Sequence, residues 1–251
     1  MGDRISELPE LAATPAVDDL LAISDVSDPG TGTTKKITTT NLFAYLPDLT
    51  GWTPVAVAWA YASATTITVP AGADTIYSVG DKIRFKQGGA YKYYYVITVA
   101  AALLTVTGGS DYTVANAAIT NIYYSKAATP VGFPQRFNFT TTWGGFTVTV
   151  PTGTFSFCII GKQVNLFYAS SAPGTSNAVT FTFTVPVAPL VSVPGIPCFV
   201  ADNSVNQSVV GHIQLAAGNT TASVYKAFYQ TAFTNAGNKD FYWSMISYIY
   251  I

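Results

Sequence analysis

Charged side chains are scarce in this sequence. They make up 10% of its 251 residues, against about 25% in an ordinary soluble domain. The formal net charge is −1, so no global field draws the chain to nucleic acid or to an anionic membrane. Histidine occurs once, at His212. That excludes a histidine-rich metal site and leaves a single opening for a Ser-His-Asp triad. No G-x-S-x-G elbow, P-loop, G-x-G-x-x-G or C-x-x-C motif is present. The two cysteines, Cys158 and Cys198, have no paired spacing and read as free, buried thiols. The first residues, MGDRISELPEL, hold no apolar signal core. The apolar run FYWSMISYIYI falls short of the roughly 20 residues a membrane-spanning helix needs. Glutamate is absent from residues 129–251, which leaves only Asp202 and Asp240 as carboxylates for glycan cleavage. Both stand in polar, loop-like surroundings, VADNSVNQ and AGNKDF, so no enzyme and no cofactor is expected. Asp25 and Asp28 lack the spacing of a calcium loop and read as turn formers.

What the chain has instead is apolar and uncharged polar residues. Hydrophobic types make up 49% and the mean hydropathy is +0.31. Such a chain must cover its surface with Thr, Ser, Asn and Tyr, bury it against other subunits, or do both. The few charges are unevenly spread. Residues 1–50 carry eight acids against three bases, residues 51–128 three against five, and residues 129–251 two against four. This marks boundaries near 50 and 129.

The first 50 residues hold short apolar pieces interrupted by Pro9 and Pro15. The stretch KKIT reads as a short strand. TTNLFAYL reads as a short helix capped by Thr40 or Asn41 and stopped by Pro47. So few apolar residues cannot form a core, and the segment must pack against something else.

From Trp52 the period becomes two. DKIRFKQ places Ile83 and Phe85 on one face and Lys82, Arg84 and Lys86 on the other, and Gly88-Gly89 turns the chain back into YKYYYVITV. Residues 51–128 are therefore expected to form a small antiparallel β-barrel or sandwich. Its bases, Lys82, Arg84, Lys86 and Lys92, interleave with Tyr91, Tyr93, Tyr94 and Tyr95. That pattern would suit single-stranded nucleic acid, but four bases are a weak footprint and nucleic acid is not the expected partner.

Residues 129–251 are expected to form a jelly-roll-like sandwich of seven or eight strands. Gly161-Lys162 suits a type II′ hairpin. NAVTFTFTVP alternates, with Val179, Phe181, Phe183 and Val185 facing inward. VAPLVSVPGIPCF has too many prolines for a central strand. The last strand has no polar face: Trp243, Met245, Ile249 and Ile251 fall on one side, Tyr248 and Tyr250 on the other. A strand covered on both faces points to subunit contact, so these six are the candidate trimer-interface residues. Neutral amides beside aromatics suit glycan recognition. Asn203, Asn206, Gln207, Asn219, Tyr225 and Asn235 are the candidates for surface binding.

Three stretches, in this order, resemble tailed-bacteriophage virion appendages, the fibres and spikes. They are ISELPELAATPAVDDLLAISDVSD…TKKIT…NL, then GWTPVAVAWAYASATTITVPAGADTIYSVGDKIRFKQ…YKYYYVITV…LTVTGGSDYTVANAAITNIYYS, then GKQVNLFYASSAPGTSNAVTFTFTVP. The resemblance implies a homotrimer in the virion, assembled in the bacterial cytoplasm. Residues 1–50 would dock it to capsid, neck or tail proteins, with Ile5, Leu8, Leu20, Leu21, Ile23, Ile37, Leu42 and Phe43 as anchor candidates. Residues 129–251 would adhere to the host surface, to polysaccharide in particular, without membrane insertion. The chain lacks the long repetitive shaft of many such fibres, so a short spike is expected. The alternative is a capsid, neck or tail decoration protein with no receptor.

Overall fold

The computed structural model describes residues 20–24, 34–38, 50–176, 178–228, 230–242 and 244–250; the first two stretches and Ser244 are described as backbone only. The expected helix at TTNLFAYL and the candidates Ile5, Leu8, Leu42, Phe43, Trp243 and Ile251 lie outside the described residues. The architecture is nearly all β and antiparallel throughout, as the alternation requires.

Strands β1 (Leu20–Ser24) and β2 (Thr34–Thr38) pair as a hairpin, with Leu21 opposite Ile37. Lys35 and Lys36, in KKIT, fall on β2.

A second unit follows. It comprises β3 (Thr53–Pro54), β4 (Ala60–Ser63), β5 (Thr66–Thr68), a single turn of helix α1 (Ala73–Ile76), β6 (Lys82–Gln87), β7 (Ala90–Ala100), β8 (Leu103–Thr107) and β9 (Thr120–Ser125). The strands form one sheet in the order β3-β9-β6-β7-β8-β5-β4. The sheet curls about its own core, which includes Trp59, Ile67, Ile83, Phe85, Tyr94, Leu104 and Val106, all buried. It stays open because β3 and β4, its two edges, do not pair. Gly88 and Gly89 both have positive φ (63° and 85°), the type I′ geometry that matches strand twist.

The third unit comprises β10 (Phe137–Phe139), β11 (Trp143–Gly144), β12 (Thr152–Ile160), β13 (Gln163–Ala172), β14 (Gly174–Thr175), β15 (Phe181–Thr184), β16 (Val193–Asp202), β17 (Val205–Asn206), β18 (Gly211–Leu215), β19 (Thr221–Tyr225), β20 (Asn238–Tyr242) and β21 (Ser244–Ile249). A small sheet, β10-β12-β13-β21, packs on a larger one, β11-β15-β19-β18-β16-β20-β14, with β17 added to β16. Both sheets feed one core: Phe157, Val164 and Leu166 from the first meet Phe183, Val200, Ile213 and Phe241 from the second. Gly161 has positive φ at the first position of the β12–β13 turn, as a type II′ hairpin demands.

One expectation fails here. Val179 is 48% exposed rather than inward, because β15 starts only at Phe181. The proline-rich stretch VAPLVSVPGIPCF is loop up to Ser192 and then edge-like, as expected, and β16 gains a second partner only at Phe199. β16 tolerates Pro194 and Pro197 because its first half pairs only with β18, through an irregularity between Val193 and Ile196. Its second half, from Phe199, pairs with β20 instead. Each proline therefore faces an edge that no strand needs.

The curled sheet and the sandwich share a seam. Tyr95 of β7 is buried in the sandwich's core cluster, with its ring 5.0 Å from Phe133 and 5.4 Å from Phe137. The Trp52 indole N–H donates to the Val131 carbonyl at 2.8 Å. Asn138 donates through both its backbone and its side-chain N–H to the Asp111 carboxylate. A Cβ at Gly80 would run into the Gly161 carbonyl, and one at Gly109 into the Asn138 carbonyl. Both glycines also have positive φ, so the two units meet backbone to backbone.

Candidate functional site

The outward face of the large sheet carries the most distinctive surface. Alternation along β16 turns Cys198 and Val200 inward and Pro197 and Phe199 outward. Phe199 stands directly opposite Tyr242 of β20 and is 66% exposed. Asn206 and Gln207, just beyond the β16–β17 turn, close the other side. Together with Val200 they line a shallow cleft of about 580 Å3. The Gln207 backbone N–H donates to the Val200 carbonyl and its side-chain amide N–H to the Val205 carbonyl, which hold this segment over the sheet.

One step across the same face, Pro197, His212 and Tyr225 are in register on β16, β18 and β19. The His212 ring stacks on Tyr225 (5.0 Å, 17°) and on Phe228 (5.4 Å, 12°). Phe228 reaches over Gly195 of β16, so the imidazole lies between the two aromatic rings. His212 is 2% exposed and its Nδ1 has no hydrogen-bond partner, while Phe228 remains 52% exposed. Among the described residues, no carboxylate or serine hydroxyl is hydrogen-bonded to it.

The surface-binding candidates do not converge on one point. Asn206, Gln207 and Tyr225 belong to this face. Asn203 and Ser204 form its end turn, both at positive φ, and Asn203 packs against Gly237 in the loop that carries Asn235. Asn219 sits at the other end, where its side-chain oxygen caps the Thr221 N–H. With β16 rising about 3.3 Å per residue, the two ends are roughly 30 Å apart. The sequence reading did not single out Phe199, Phe228 and Tyr242. The signal was the period-two pattern Pro197–Val200, hidden by the prolines.

The trimer-interface candidates separate by face. Met245 (62%) and Ile249 (53%) are exposed on the outer side of the small sheet, and Met245 stands opposite Phe167 of β13. Tyr248 and Tyr250 are corrected: they are buried in the chain's own core, and the Tyr248 hydroxyl donates to the Val187 carbonyl at 2.6 Å.

The aspartates are not in loops. Asp202 is 3% exposed and Asp240 0%. Burial pushes the Asp202 carboxyl up, but the Lys226 ammonium at 2.9 Å and the Thr234 N–H and hydroxyl outweigh it, and its pKa ends below the ordinary range. Asp240 is pushed up to about 6 by burial, which the Ser170 hydroxyl, the Phe241 N–H and the Tyr168 hydroxyl offset only in part. The two carboxylates have separate sets of hydrogen-bond partners. Lys239 is fully buried and donates to the Ser176 and Ala236 carbonyls.

The bases of the curled sheet are also committed. Lys82 is 3% exposed, and the Arg84 guanidinium lies over Trp52 (4.4 Å) and Tyr123 (4.5 Å). Lys86 lies over Tyr91, and Lys92 donates to the Thr113 carbonyl. These contacts fit a stacked structural face better than a strand-binding groove. Cys158 and Cys198 are free.

No family model matches the chain, and no curated protein or solved structure does. Among the described residues, no three His, Cys, Asp or Glu side chains gather as a metal site, and no helix is long and apolar enough to cross a membrane.

Proposed function

We propose that this chain is a structural protein of a tailed-bacteriophage particle, a short homotrimeric fibre or spike. Residues 1–50 anchor it to other virion proteins, and residues 129–251 adhere to the host surface without catalysis. The observation that carries this reading is the pair of outer faces on the sandwich, which expose apolar and aromatic side chains and carry few charges, Arg136 stacked on Phe167 being the one on the small sheet among the described residues. Met245 and Ile249 beside Phe167 on the small sheet suit contact between copies. The aromatic and amide face of the large sheet suits adhesion. Three weak sites per spike and many spikes per particle would give useful avidity without deep pockets.

Light scattering tests the assembly. The purified protein is expected near three times 26.6 kDa, and Met245→Asp with Ile249→Asp is expected to lower that mass. A wild-type monomer would overturn the trimer. Adhesion is tested by adding the protein to host cells before phage. It is expected to slow adsorption, and undiminished adsorption at saturating protein favours the decoration role.

A further inference from the structure

We propose that the outer face of the large sheet is an extended track for an uncharged polysaccharide, with aromatic platforms at Phe199–Tyr242 and at Phe228–His212. This deepens the adhesive reading and rests on it. Three observations select the ligand class.

The platforms come first. Phe199 and Phe228 are large apolar side chains left 66% and 52% exposed on a sheet whose core is otherwise closed. Phe228 is braced by His212 in a near-parallel stack, and Phe199 stands in register with Tyr242 across the strand pair. Held aromatic rings suit the C–H faces of sugar rings, and they lose little conformational freedom on binding. The polar groups come second. Asn206 and Gln207 flank the first platform, and the Gln230 amide N–H donates to Gln214 beside the second. Side-chain amides both donate and accept, as sugar hydroxyls do. Charge comes third. The nearby ionisable groups are consumed internally: Lys226 by Asp202, Lys239 by carbonyls, and Asp240 by Ser170 and Tyr168. A uronic or phosphorylated polymer would find no free counter-charge here, whereas a neutral one leaves nothing unpaired.

Spacing sets the length of ligand. Phe228 covers Gly195, four residues along β16 from Phe199, so the platforms are about 13 Å apart. That separation takes an oligosaccharide stretch rather than one sugar.

The test uses the full-length protein against immobilised neutral polysaccharides (dextran, mannan, galactan) and anionic ones (alginate, hyaluronan), at low and high ionic strength. The proposal expects salt-insensitive binding to a neutral polymer. Phe199→Ala and Phe228→Ala should each weaken it about tenfold or more, Phe199→Trp should retain it, and melting temperature and solution mass should not change. Four results overturn it: binding only to anionic polymers with steep salt dependence, binding to no neutral polymer, alanine variants that bind as wild type, or variants that change solution mass, which would make the face a subunit contact. Cell binding that survives both alanine variants would remove the track while leaving the adhesive reading intact. Failure to bind cells at all would remove that reading itself.

Discussion

Asp202 and Asp240 stand on paired strands one position out of register, yet their proton linkages have opposite signs. Asp240 is raised to about 6 in the folded chain against an ordinary value of 3.8. The fold therefore binds its proton more tightly than the unfolded chain does, and stability rises as pH falls through about 6 toward about 4. The full shift corresponds to about 3 kcal/mol. Asp202 is lowered, so its contribution is held above its unfolded value and lost only as pH falls below about 4. Between those limits the Asp240 linkage can be isolated by one variant. Asp240→Asn should be stabilising relative to wild type above about pH 7, and the advantage should shrink as pH drops through 6. Denaturant melts across that range check it. A variant whose deficit is largest at high pH would show that the Ser170 and Tyr168 bonds, not burial, govern this carboxylate.

At the scale of elements, close approach replaces side-chain packing where the β12–β13 hairpin meets the curled sheet. Gly80 has φ +91° and faces the Gly161 carbonyl. Gly80→Ala should cost about 2–4 kcal/mol, from backbone strain and a backbone clash together, and lower the melting temperature by several degrees. An unchanged melting temperature would mean that the hairpin tip does not touch the sheet. This contact joins residues far apart in sequence, and nothing local to GDK or IGKQ announces it. What was legible in the sequence was local: alternation at Phe181, Phe183 and Val185, paired glycines at 88–89, and the II′ glycine at 161. The edge character of the stretch through Pro194 and Pro197 was legible too, but its continuation from Phe199 into a strand paired with β20 was not. The last strand was half legible. Its two apolar faces are equivalent by period, and only the tertiary fold sends Tyr248 and Tyr250 inward and leaves Met245 and Ile249 outside. On the outer face of the large sheet, Asn206, Gln207 and Tyr225 were visible as residue types, but Phe199 and Tyr242 meet them only through the pairing of β16 with β20.

For the whole molecule, the two cores are continuous through Tyr95, Tyr93, Phe133 and Phe137. Residues 50–250 should therefore unfold in one calorimetric transition, with the calorimetric and van't Hoff enthalpies in agreement. Trp52 is fully buried at the seam, and its Nε1–H donates across it, so its fluorescence change should coincide with that transition. Two resolved transitions would mean that the seam adds little to either unit.

The seam also has a mechanical meaning. Besides the connection between Lys126 and Phe137, packed rings and backbone hydrogen bonds join the two units: Tyr95 packs on Phe133 and Phe137, and the Ser110 N–H donates to the Asn138 carbonyl. A body joined in this way is expected to resist twisting as one piece and to keep the outer faces of its sandwich at a fixed angle to the curled sheet.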